Sequence, residues 1–115
     1  MVPKAPTHPP FPHGIETMDT IDCRGDASLG RLVARHPEIE HVLAADYQRP
    51  IFVRWAGTIG VAVPSTAHQV ALDLRPGEPT RFVTEAPTSL VYIWQPGLFV
   101  TTHFVAISDF GAFSK

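Results

Sequence analysis

Apolar residues fall at helical spacing in one stretch of the chain. Leu29, Leu32, Val33 and His36 share one face at positions i, i+3, i+4 and i+7. Asp26 stands where an N-cap is wanted and Pro37 ends the run, so the pattern predicts a helix over 26–36. From Ile39 onward the period drops to two. EIEHVLA reads as a strand with a buried end, and in RPIFVRWAG the residues Ile51, Val53 and Trp55 face one way while Phe52 and Arg54 face the other. A turn at Gly57-Thr58 leads into IGVAV, and HQVALDL (68–74) sets Val70, Leu72 and Leu74 against Gln69, Ala71 and Asp73. Turn chemistry in RPGEPT precedes RFVTE, and Gln95-Pro96-Gly97 separates LVYIWQ from LFVTTHFVAI. The pattern predicts one helix and about seven mostly antiparallel strands, an α+β chain of a single domain over residues 1–115, with the β-rich region at 39–107.

Two segments depart from simple alternation. Residues 90–95 and much of 98–107 are apolar on both faces, and such strands need cover on both sides. A helix of this length cannot cover both faces of a seven-stranded sheet. The sheet is therefore expected to fold into two layers, to find cover in a second chain, or to combine the two. At the other end, Pro3, Pro6, Pro9, Pro10 and Pro12 exclude a helix over residues 1–14. That leaves two readings for the segment: a flexible polyproline-type arm, or an ordered loop pinned by Phe11.

Composition narrows the function classes. A chain of 115 residues is long enough for one real core and too short for two ordinary domains. Nine Lys and Arg against eleven Asp and Glu, without blocks, give no electrostatic footprint for nucleic acid. The single Cys23 excludes an internal disulfide framework and a Cys-rich zinc module, and reads as a small buried spacer before the helix. No apolar run reaches the ~20 residues of a membrane span, and MVPKAPTHPP has no signal-like apolar stretch. A soluble cytoplasmic domain is the expectation.

Six histidines raise the question of a metal, since imidazole suits zinc, iron and manganese. They are His8, His13, His36, His41, His68 and His103, and none forms a local H-x-H, H-x₃-H or HExxH pair. His68, beside Ser65 and Thr66 at a strand entrance, is the best individual candidate. Asp46 follows an apolar strand, where sheets of α/β type often present catalytic groups. No P-loop, G-x-S-x-G or S-x-x-K is present.

Three segments taken in order carry a resemblance: THPPFPHGIETMDTIDC, HPEIEHVLAADYQRPI and PSTAHQVALDL. Together with the closing PGLFVTTHF, they resemble the C-terminal half of a calcineurin-like metallophosphoesterase, of the class III cyclic-nucleotide phosphodiesterase and glycerophosphodiesterase branch. The resemblance implies half of a two-layered α/β sandwich and a dinuclear centre of Fe, Mn or Zn, whose two metals clamp a phosphodiester and activate a hydroxide. It also implies five ligand blocks. The first three (D-x-H, GD and GNH) belong to the N-terminal half of that fold, and neither D-x-H nor GNH occurs in this sequence.

The other two blocks are altered. His-His-Pro-Pro is replaced by Thr7-His8-Pro9-Pro10, which puts Thr7 at the ligand position. Gly-His-x-His is replaced by Ala45-Asp46-Tyr47-Gln48, followed by the matching Arg49-Pro50. Thr7, Asp46 and Gln48 are thus degenerate metal positions, and no cofactor is expected. The phosphate-binding candidates are His8, Arg49 and His68, the last in the intact STAHQ. The leading expectation is a catalytically silent module that forms a homodimer or higher oligomer. The alternatives are a metal-dependent phosphodiesterase completed by an N-terminal-half partner chain, and a small module binding phosphate ligands. Neither nucleic acid nor membrane is expected as a partner.

Overall fold

A computed structural model describes residues 8–21, 25–108 and 111–114. Its elements are α1 (Glu16–Asp19), α2 (Asp26–Ala34), β1 (His41–Ala44), β2 (Ile51–Trp55), β3 (Thr58–Ala62), β4 (Gln69–Val70), β5 (Phe82–Val83), β6 (Thr88–Ile93) and β7 (Thr101–Ala106). The class is α+β with strands dominating. The strands form three small sheets instead of one seven-stranded sheet: β1-β3-β2, β4-β5 and β6-β7. Only the β1–β3 pair is parallel, with His41 opposite Ile59 and Ala44 opposite Ala62. The other pairs are antiparallel.

β3 is the central strand of the main sheet because β1 and β2 flank it. Its Thr58, Gly60, Val61 and Ala62 are all buried, and the Thr58 hydroxyl donates to the Ile39 carbonyl at 2.7 Å. The alternation expected for β2 holds, with Ile51, Val53 and Trp55 half-buried and Phe52 and Arg54 exposed. The turn between β2 and β3 lies one residue earlier than expected. Ala56 and Gly57 both have positive φ, 50° and 80°, which matches the twist of a two-residue hairpin.

One face of this sheet carries the core, in two buried clusters. Ile15, Met18, Tyr47, Ala62 and Val70 form the first, and Val33, Ile39 and Val42 form the second. Phe11 is also buried and sits over Gly60: a Cβ there would lie 2.5 Å from the Phe11 ring. From His8 to Gly14 the Pro-rich segment has no helix or strand and lies against the sheet through Phe11, which also meets the Trp55 ring at 5.9 Å. Its first seven residues lie outside the described part.

The hairpin β6–β7 lies on the other face of the sheet. The Tyr92 ring meets His41 of β1 at 5.7 Å, Phe104 meets Phe52 of β2 at 5.6 Å, and the Val100 N–H donates to Glu40 at 2.8 Å. The second layer expected from the two-sided apolar strands is therefore this hairpin. Its inward face is only partly covered, with Tyr92 half-buried and Phe104 58% exposed, and on its outward face Val91, Ile93 and Val105 are each at least 40% exposed.

Several local expectations are corrected. The helix α2 starts at Asp26 itself, preceded by Gly25 at φ 81° in the N-cap position, and the Asp26 carboxylate accepts the adjacent Ala27 N–H. Of the expected helical face, Val33 is buried but Leu32 is 52% exposed, because the sheet is met through Val33 and Leu29. A second helix, α1, was not expected. It is a single turn, and the Asp19 carboxylate holds its entrance by accepting the His13 and Gly14 N–H groups at 2.9 Å each. The strand expected over 68–74 shrinks to Gln69–Val70, and Leu72 and Leu74 face solvent. Gln69, set on the opposite side from Val70 in the expected alternation, is buried like it, and its amide closes the 65–69 loop by bonding Ser65 through both N–H and carbonyl. Cys23 lies outside the described residues.

Candidate functional site

The residues singled out by the resemblance meet at the end of β1. That strand stops at Ala44, and the chain turns through Asp46 at φ 82° and Gln48 at φ 49°, both in the left-handed region that non-glycine residues avoid. Tyr47 between them is buried, and its hydroxyl donates to the Met18 carbonyl at 3.0 Å. Backbone bonds fix the far side of this corner, where the Val70 N–H donates to the Gln48 carbonyl at 3.1 Å. Arg49 donates to the Val70 carbonyl at 2.9 Å and grips the Glu85 carboxylate with both terminal nitrogens.

The Pro-rich loop reaches the same corner. His8 Nδ1 contacts Asp46 Oδ2, so residues of the two altered ligand blocks meet directly. Gln48 Oε1 is buried without a hydrogen-bond partner among the described residues. His68 is exposed and rests edge-on against Phe82, 5.0 Å between ring centres. Thr7 lies outside the described residues. The structure thus joins His8 to Asp46 and ties Arg49 to the same loop through Val70. It turns the Arg49 fork to Glu85 and seats His68 on Phe82.

The donor chemistry at the corner suits a metal centre poorly. Asp46 supplies one carboxylate, already in contact with the neighbouring imidazole. Gln48 offers a neutral amide oxygen, a weak ligand beside imidazole or thiolate. Among the described residues, no three His, Cys, Asp or Glu side chains converge as a metal-binding group. Two transition ions sharing a bridging hydroxide require several such ligands, and the described residues do not fit them.

His13 is one of the six histidines weighed for a metal, but sequence reasoning did not choose it as a site residue. Its side chain is fully enclosed, 4.0 Å from the Tyr47 ring in an edge-on arrangement, with Nε2 3.5 Å from Asp19. Burial lowers its pKa, and the Asp19 charge partly opposes that shift. The pairing with Asp19 depends on the turn of α1, which has no periodic signature. Glu85, the partner of Arg49, is equally unmarked, being 36 residues away in sequence.

Comparison with known proteins adds one informative relative. Over 104 residues the chain is 32% identical to the probable glycerophosphodiester phosphodiesterase GpdQ of Arcobacter nitrofigilis, covering 90% of this chain and 38% of that protein. The chain therefore spans little more than a third of the length of the curated relative it matches. No protein-family profile matches it. No helix among the described residues is long and apolar enough to cross a membrane.

Proposed function

We propose that this chain is a metallophosphoesterase-type C-terminal half-fold that is catalytically silent by itself and acts as a structural, self-associating module. The observation that carries the reading is the corner at the end of β1. The two segments that resemble ligand blocks come together there, but as a His8–Asp46 pair beside a neutral Gln48. The similarity to GpdQ supports the metallophosphoesterase part of the reading, and the altered donors support silence. The outward face of β6–β7, with Val91, Ile93 and Val105 exposed, is the surface for a second copy.

Metal analysis of the purified chain tests the silent reading. The expected result is no stoichiometric Mn, Fe or Zn, together with no hydrolysis of bis(p-nitrophenyl) phosphate when Mn²⁺ is added. Stoichiometric metal or metal-dependent turnover would overturn it.

A second reading, a phosphodiesterase completed by another chain, is favoured by one fact: the relative matched is named as a phosphodiesterase and is much longer than the matched region. Its test is hydrolysis by the chain mixed with a separately expressed N-terminal half bearing the D-x-H, GD and GNH blocks. Activity only in the mixture supports this second reading over the first.

A further inference from the structure

The segment from His8 to Ile21 is attached to the rest of the molecule by side chains. Its backbone-to-backbone hydrogen bonds among the described residues stay within the segment, running from the Met18 and Asp19 N–H groups to the Ile15 carbonyl, from Thr20 to Glu16 and from Ile21 to Met18. No strand ladder joins it to a sheet. Phe11 sits over Gly60, and Ile15 and Met18 enter the first core cluster. The Tyr47 hydroxyl donates to the Met18 carbonyl, the Thr17 and Thr80 hydroxyls pair at 2.6 Å, and Glu16 accepts the Gly77 N–H at 2.8 Å. A segment held in this way can part from a domain without breaking its sheets.

His13 lies within this attachment. Its side chain is fully enclosed, edge-on to the Tyr47 ring, and neither ring nitrogen has a hydrogen-bond partner among the described residues. The charge beside it is the Asp19 carboxylate of α1, 3.5 Å from Nε2, which already accepts the His13 and Gly14 N–H groups. Other ionisable groups around the segment are turned elsewhere. Glu16 faces Gly77, Asp46 meets His8, the Arg49 fork holds Glu85, and Asp26 of α2 borders a recess along Pro9, Pro10 and Pro12. An imidazolium has two N–H donors to satisfy, and enclosed here it finds one distant, already shared acceptor. Water satisfies both donors, so the proton is held more strongly when the segment is away from the sheet. Burial lowers the His13 pKa against the opposing pull of Asp19, which has the same sign.

We infer that residues 8–21 form an acid-released latch: protonation of His13 opens the segment from the sheet as a local unit, uncovering the first core cluster and parting His8 from Asp46. Below pH 6.5 the open form takes up the proton and the closed form resists it, so opening grows as the pH falls. The inference does not rest on the phosphoesterase reading, since it needs none of the altered ligand positions to bind anything.

Amide hydrogen exchange of the full chain, resolved by NMR at about pH 7.5 and 5.5, tests it above the ordinary carboxylate range. After correction for the intrinsic pH dependence of exchange, opening at Met18, Asp19 and Ile21 is expected to rise about three- to tenfold on acidification. The upper figure is the limit for uptake of one proton by an ordinary imidazole. These amides should also exchange faster than that of Val61 in β3, and with a much smaller urea dependence, the mark of a local opening. His13→Gln, neutral at both pH values, should lose the acid response, and His8→Asn should keep it. Exchange of Met18 and Asp19 at the rate and urea slope of Val61 overturns the inference, because only global unfolding then exposes them. A rise of less than about threefold overturns it, as does a response that survives in His13→Gln. The imidazole titration of His13 in the unaltered chain gives a check that needs no variant: a midpoint at or above 6.5 also overturns the inference. Any of these results leaves the metal and hydrolysis tests of the corner unaffected.

Discussion

At the residue scale, the fold depends on a few contacts that composition does not reveal. Gly60 is the clearest. An alanine there meets the Phe11 ring at 2.5–2.9 Å, and the obstacle is a buried aromatic ring instead of a flexible chain end. Gly60→Ala is expected to destabilise the chain by about 1–3 kcal/mol, read as a lower urea midpoint at unchanged slope. Phe11→Ala removes the same contact from the other side and should cost about 3–5 kcal/mol.

His13 gives a pH prediction. Its folded pKa lies below the unfolded value of 6.5, because burial disfavours the imidazolium more than Asp19 favours it. The unfolded chain therefore binds the proton more readily. The stability contribution is fully present above pH 6.5 and is lost as the pH falls towards the lowered folded value. The melting temperature should drop on acidification through this window, and less steeply in His13→Phe.

At the element scale, what the sequence made legible depended on periodicity. The alternation of β2 was readable because Ile51, Val53 and Trp55 face a core and Phe52 and Arg54 do not. The helix α2 was readable from its apolar face, though not the exposure of Leu32. That exposure follows from which residues the sheet meets. The 68–74 strand was over-read for a related reason. Its alternation continues beyond Val70, but Asp73 is held by Arg75 and Arg81 at 2.7 Å each, and the ladder with β5 ends at Val70–Phe82.

The corner was half legible. Motif order located Asp46, Gln48, Arg49 and His8, whereas Glu85, the partner that turns the Arg49 fork, comes from a segment 36 residues away. Arg49→Lys tests that corner as an element, since an ammonium cannot reproduce the two-pronged grip on Glu85 together with the Val70 carbonyl bond. A loss of about 1–2 kcal/mol is expected by denaturant titration.

At the scale of the whole molecule, the chain is a plate of 48 × 45 × 19 Å with a radius of gyration of 15.7 Å, against about 13 Å for a compact domain of this length. A plate leaves more apolar area uncovered than a sphere, and here Val91, Ile93 and Val105 lie together on its hairpin side. Light scattering at micromolar concentration is expected to give a dimer or larger species. Ile93→Lys, which places a charge on that face, should shift the population to monomer while leaving the circular dichroism spectrum unchanged.

The attachment of that hairpin has a kinetic consequence. β6 and β7 bond fully to each other, but among the described residues they are tied to the main sheet and the loop after it by two ring contacts, the Glu40–Val100 hydrogen bond and a long Thr88 N–H to Ser65 carbonyl bond. Few contacts across a boundary mean a small free energy to part it, so the two layers form separate cooperative units. Amide hydrogen exchange should therefore be biphasic across the chain. The amides of Leu90 to Ile93 exchange through a local opening, and those of Gly60 to Ala62 wait for global unfolding.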